Sequence, residues 1–234
     1  MRRILLTQWF ECGDATRGKE LAECVQHNID LGFDSVVIHN DSVDPMFFGP
    51  NVENIRTNTR ITYKDFIDIV SNPKNFGSLV CLTNTDIKLD SHLFDLAGVM
   101  GENHLISITR YESSGQLAEY PWCTQDTWLL LSQPIHKSII YQSAMPLGLP
   151  GCENRFAEIF FAAGYEVFNP CLSIKNVHVQ AVQSVHRNEN RIYGAYLFVP
   201  PCQLSDIGKV ARPEAMPTPV YLPSFSKNLF KIGQ

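Results

Sequence analysis

The chain has 234 residues, 44% of them hydrophobic and 18% charged, which supports one substantial core and a single domain with room for a tail. Its net charge is −5, it has no dense basic tract, and no apolar run reaches bilayer-spanning length. A duplex-binding surface and a transmembrane segment are therefore disfavoured. The seven cysteines, Cys12, Cys24, Cys81, Cys123, Cys152, Cys171 and Cys202, are odd in number and scattered, with no CxxC pair. That speaks against a disulfide framework and a structural zinc site, and for reduced thiols that are mostly buried.

The opening Met1-Arg2-Arg3 is basic and Ile4-Leu5-Leu6 is apolar. The apolar part is too short for a signal-peptide core, so it reads as a first buried strand and the expected location is cytoplasmic. Residues 16–31 predict a helix, with Leu21, Cys24, Val25 and Ile29 on one stripe and Gly32 at the stop. Residues 35–40 form a β-branched strand ending in His39-Asn40, and residues 41–58, with Pro45, Gly49 and Pro50, read as a loop excursion. A second helix is expected from Thr62 through Val70, and an apolar strand over residues 79–83. Residues 90–100 are expected to be helical, capped by Asp90 or Ser91, and residues 105–109 form another strand.

The second half is less regular. It predicts a strand over residues 127–131, a Gly/Pro turn over 146–151, a helix over 153–164 and a strand-like stretch over 172–179. After Pro200 the proline-rich sequence reads as a tail, so residues 1–200 are expected to form the domain and 201–234 a tail or linker towards further domains. Short apolar strands alternating with helices predict an α/β fold with a mostly parallel sheet covered on both faces. Ligands of such sheets bind beyond the carboxyl ends of the strands. Attention therefore goes to Thr7-Gln8, His39-Asn40 and Asn84-Thr85-Asp86.

Five constellations carry candidate chemistry. Asp86, at a strand end, either presents a hard divalent cation to a diphosphate or simply forms a turn. Glu153, set by the turn Gly148-Leu149-Pro150-Gly151, is either a general base aimed into a pocket or an ordinary acid favoured by the helix dipole. Asp126 beside Trp128 suits an acceptor subsite or a strand edge next to a core tryptophan. His178 suits a metal ligand or a structural histidine, and Arg187 a phosphate contact or a surface residue. Arg17, next to Glu20 near the first strand end, either reads a base or phosphate or forms an exposed helix pair.

The order of these signals along the chain resembles the GT-A class of nucleotide-sugar glycosyltransferases. It runs strand-Gln, Arg helix, second strand, NTD, TQDTW, GxPGCENR, NP and NVHVQ. More narrowly, the chain is similar to the small glycosyltransferase domains of chlorella viruses, over about residues 1–200. The resemblance implies a Rossmann-like GT-A domain, a hexosyltransferase activity that inverts the anomeric centre, and a glycan acceptor. It implies a UDP-sugar donor, with UDP-rhamnose or UDP-glucose leading, and a location in the host cytoplasm. The family's Asp-x-Asp metal motif falls on Asn84-Thr85-Asp86, where an amide replaces the first carboxylate. Asp86 and His178 would then hold Mn²⁺ or Mg²⁺, and Glu153 would be the base with Asp126 as its competitor. Thr7, Gln8, Arg17, His39, Asn40, Arg60, Asn84 and Thr85 would line the nucleotide pocket. Trp128, Asn154, Arg155 and Arg187 would contact acceptor or phosphate.

Three other readings remain. A nucleotidyltransferase of similar fold usually carries a glycine-rich basic loop after its first strand, whereas Gln8-Trp9-Phe10-Glu11-Cys12-Gly13-Asp14 is acidic and glycine-poor. A non-enzymatic nucleotide- or glycan-binding module is kept open by Asn84. A metal-dependent nuclease is disfavoured by the acidic charge.

Overall fold

The computed structural model describes residues 1–42, 46–180 and 190–209. In chain order the elements are β1 (Arg3–Trp9), α1 (Ala15–Asp30), β2 (Ser35–Asn40), β3 (Val52–Arg56), α2 (Tyr63–Val70), β4 (Leu79–Thr83), β5 (Ile87–Lys88), β6 (His104–Thr109), β7 (Tyr111–Glu112), β8 (Gln125–Leu131), α3 (Lys137–Gln142), α4 (Cys152–Ala162), β9 (Glu166–Phe168) and β10 (Val177–His178). Short 3-10 helices lie at Pro73–Asn75, Ser91–Gly98 and Leu204–Asp206.

The fold is α/β. A seven-stranded sheet runs β3-β2-β1-β4-β8-β6-β9, and every pairing in it is parallel except the two made by β8. β1 and β4 are apolar because both of their faces are covered, as expected for strands inside such a sheet. One face packs Leu6, Leu82, Trp128 and Leu130 against Phe66 of α2 and Phe156 and Phe160 of α4. The other packs Leu5, Cys81 and Leu129 against Leu21 and Val25 of α1 and Leu93 and Leu96 of the Ser91–Gly98 helix. Local signals fix the helix starts. Asp14 accepts a hydrogen bond from the Arg17 backbone N–H, and Thr62 and Asp65 form a reciprocal capping box at α2.

Several expectations need correction. The stretch 41–58 contains β3, whose exposed, polar sequence VENIR gave no apolar run because it sits at the sheet edge. Residues 91–98 are 3-10 rather than α-helical. Of residues 172–179 only Val177–His178 is a strand. With β5 and β7 it makes a separate three-stranded sheet, each strand two residues long. α3 and β9 were not anticipated.

Residues 201–209 lie against the domain. Pro201 bridges Asn169, the Cys202 N–H donates to the Asn169 carbonyl, and Ile207 is buried. Residues 210–234 lie outside the described residues. The Asn169 side chain is a junction. Its Oδ1 accepts from the Thr109 N–H, and its Nδ2 donates to Thr109 Oγ1 and to the carbonyls of Pro121 and Val199, at 3.0–3.1 Å. No helix of the described residues is long and apolar enough to cross a membrane.

The turn before α4 depends on Gly151. Its φ is +82°, and a Cβ there would stand 2.6 Å from Tyr196 Oη and 3.1 Å from the Ile192 carbonyl oxygen. Gly151→Ala is expected to destabilise the chain by roughly 2–4 kcal/mol, combining left-handed strain with overpacking. Chemical denaturation checks this, and adding Tyr196→Ala should recover the clash but not the strain.

Candidate functional site

The strand order reverses between β1 and β4. β2 and β3 extend the sheet on one side of β1, and β4 begins the other side. Such a switch point leaves a crevice at the carboxyl ends of the strands. A cleft of about 810 Å³ opens there. Its walls include Gln8 from the end of β1, Arg17 from α1, Asn84, Thr85 and Asp86 after β4, Asp126 from β8, Glu153 from α4 and His178 from β10.

Each side chain arrives for a local reason. The Asp14 cap sets the first turn of α1, and from it Arg17 extends Nη2 to Asp86 Oδ2 at 2.6 Å and Nη1 to Glu20 Oε2 at 3.1 Å and to the Val179 carbonyl. β10 pairs antiparallel with β5 and parallel with β7, which puts His178 beside Ile87 and Glu112. The imidazole lies between two carboxylates, Nε2 at 3.2 Å from Asp86 Oδ2 and Nδ1 at 3.2 Å from Glu112 Oε2. Asn176 ties the small sheet to the large one by donating to Thr127 Oγ1 while accepting from the Asp90 N–H. On the far wall, Asp126 accepts from Arg110 Nη1 at 2.7 Å and from the Asn84 side-chain amide.

These contacts shift protonation. Burial lowers the His178 pKa, but its bond to Asp86 and the charge there outweigh burial and raise it. Asp86 is disfavoured by burial yet held below its usual value by His178 and Arg17. Glu112 is held low in the same way by His178 and Arg110. Glu153 behaves oppositely. Burial, reinforced by the charge of Asp126 and opposed by its own backbone N–H, raises it from 4.5 to about 7.

Arg60, Asn84 and Thr85 also line the cleft. Arg60 donates to the Leu147 carbonyl at 3.2 Å, and Thr85 Oγ1 to the Gln8 carbonyl at 2.8 Å. Gln8 Oε1 accepts from the Ile61 N–H, so its side chain is partly committed to structure.

Of the other expected site residues, Trp128 and Asn154 border the cleft, and Thr7, His39, Asn40 and Arg155 do not. Thr7 is fully buried and donates to the Thr83 carbonyl. His39 and Asn40 end β2, one strand beyond the switch point, and Asn40 accepts from Ser42. None of these three lines the cleft. Trp128 borders it but is 1% exposed and packed edge-on to Tyr63 at 5.0 Å, so its ring face cannot stack on a sugar. Asn154 is spent on the Leu197 carbonyl, and Arg155 turns outward to Glu158 and Gln142. Arg187 lies outside the described residues.

Sequence reasoning missed Arg110 and Glu112. They follow directly on β6, so the search of polar residues at strand ends, applied to that strand, would have found them. Trp128 Nε1 and Gln125 Oε1, on residues that line the cleft, are buried polar atoms without a hydrogen-bond partner among the described residues. Among the described residues no group of three or more His, Cys, Asp or Glu side chains is arranged to hold a metal ion by itself. No protein-family model matches this chain, and no curated protein matches it in sequence.

Glu153 makes a stability prediction. A carboxyl raised from 4.5 to about 7 binds more protons folded than unfolded between those values. Stability therefore falls as pH rises through that window, by roughly 3 kcal/mol for this group. Glu153→Gln should be more stable than wild type by up to that amount at pH 8, the difference closing as pH falls towards 4.5. Urea denaturation of both proteins across this range measures it.

Proposed function

We propose that this protein is a GT-A-type nucleotide-sugar glycosyltransferase that moves a hexosyl group from a nucleoside diphosphate to an acceptor hydroxyl with inversion. One observation carries the reading. A carboxyl group with its pKa near 7 shares a cleft of about 810 Å³ with four arginines and a carboxylate–imidazole pair. That volume lies within the usual range for small-molecule sites.

In this reading the diphosphate lies towards Arg17 and Arg60, whose guanidinium forks match phosphate oxygens. Glu153 takes the proton from the acceptor hydroxyl, since a base with its pKa near the working pH balances protonation state against driving force. Asp126 receives a hydrogen bond from a substrate hydroxyl.

The donor set fits a hard cation shared with a ligand. Asp86 Oδ2 and His178 Nε2 are 3.2 Å apart. Glu112 on the other imidazole nitrogen is the usual partner of a metal-bound histidine. Asp86 and His178 would be the residues to hold Mn²⁺ or Mg²⁺, which requires His178 neutral and its contact with Asp86 exchanged for the ion. Such an ion supplies neutralisation of charge on the departing diphosphate.

The second reading is a nucleotide- or glycan-binding module without turnover. It is favoured by Asn84 in the motif's first acidic position and by Asp86 being already engaged by Arg17 and His178. Transfer and donor hydrolysis assays with a panel of UDP- and GDP-sugars, with and without Mn²⁺, separate the two. Glu153→Gln is expected to cut turnover by about 10²–10⁴-fold. Chelator and Asp86→Ala should each abolish it, and Asp126→Asn should mainly raise the acceptor KM. Near-wild-type turnover by Glu153→Gln with a dead Asp126→Asn reverses the assignment of the base. Donor binding with no hydrolysis or transfer favours the module.

A further inference from the structure

Two carboxylates, Asp126 and Glu153, line the acceptor side of the cleft, and their surroundings differ. Both oxygens of Asp126 are taken: Oδ2 by Arg110 Nη1 at 2.7 Å, and Oδ1 by the Asn84 amide. Arg110 is itself fixed, because its Nε donates to Glu112 Oε1 at 3.0 Å. Glu112 in turn holds His178. Arg110 stands at the step from β6 to β7, where the chain leaves the large sheet for the small one. A planar guanidinium that engages two carboxylates through separate N–H groups fixes both in direction as well as in charge.

We propose that Arg110 is a positioning residue. It pins Asp126 as a fixed hydrogen-bond acceptor for a substrate hydroxyl, and so leaves Glu153 as the one carboxylate of the pair that exchanges a proton. This rests on the glycosyltransferase reading for its chemistry but not for its test.

The groups that face Glu153 come from several elements. They are Asp126 of β8, Cys123 just before β8, Tyr63 of α2, Cys152 on α4 itself and Arg191 of the segment after residue 190. Of these, Asp126 is the ionisable group that Arg110 touches. With the guanidinium in place the charge of Asp126 is compensated. Without it, the carboxylate pair repels more strongly, and a proton is retained to higher pH. Arg110 acts on Glu153 through Asp126, so its effect requires Asp126 to be charged.

The full chain, labelled with ¹³C at side-chain carboxyls, tests this without any substrate. The Glu153 resonance is identified by its loss in Glu153→Gln and followed against pH. In Arg110→Met its midpoint should rise by roughly one pH unit. In Asp126→Asn it should fall below wild type. In the double variant it should stay close to the Asp126→Asn value. Arg110→Gln, closer in shape and polarity, is expected to move the midpoint in the same direction and replaces Arg110→Met if thermal unfolding shows that the latter has collapsed.

An unmoved midpoint in the Arg110 variant overturns the proposal. So does an equal rise with and without Asp126, which would mean that Arg110 acts as a general charge and not through Asp126. A wild-type midpoint at an ordinary carboxylate value sinks the assignment of Glu153 as base and this proposal with it. A midpoint near 7 that ignores Arg110 sinks the positioning role alone.

Discussion

The carboxylate of Asp86 accepts from Arg17 while one of its oxygens also lies against the ring of His178, and these contacts join parts of the chain that are far apart in sequence. Arg17 belongs to the helix on one face of the large sheet, Asp86 to the turn leaving its fourth strand, and His178 to a two-residue strand of the small sheet. The backbone repeats the link, since the Val179 N–H donates to the Asp86 carbonyl and Arg17 reaches the Val179 carbonyl. Without this meeting point the small sheet would keep only its two two-residue pairings and the Asn176 ties to Thr127 and Asp90.

From Asp86 the polar contacts run on as a row of alternating acidic and basic groups: Glu20, Arg17, Asp86, His178, Glu112, Arg110, Asp126. The members are half-buried, so each depends on its neighbours for compensation. Breaking a pair in such surroundings costs more than the pair contributes, because one charge is left stranded. The row borders the cleft for much of its length, so geometry at its Arg17 end and at its Asp126 end is mechanically joined. Glu153 stands outside the row, and its environment is set by burial more than by partners.

Five strands of the large sheet were legible because they announce themselves. Leu79–Thr83 is apolar on both faces, and Thr62 with Asp65 writes the start of α2 in a local code. The strand-end rule led to Gln8, Arg17 and Asn84–Asp86, all of which border the cleft. The same rule misplaced His39 and Asn40, because sequence does not say which strands flank the switch point. β5 and β7 were illegible for a different reason. A two-residue strand has no periodicity, and its pairing is decided by partners about 65 to 90 positions away. The role expected for Trp128 failed on packing: the face that a sugar would need is turned to Tyr63 and the core.

The Asn169 junction has a chemical consequence. Its amide must donate to carbonyl oxygens of two other segments, and a carboxylate in its place would face those oxygens with nothing to offer. Asparagines age into aspartates chiefly when the next backbone nitrogen, carrying its hydrogen, attacks the side chain. The next residue here is Pro170, whose nitrogen has no hydrogen to lose. The position whose ageing would do most harm to the seam between β6, β9 and the C-terminal segment is thus followed by the residue that blocks the ordinary route of decay.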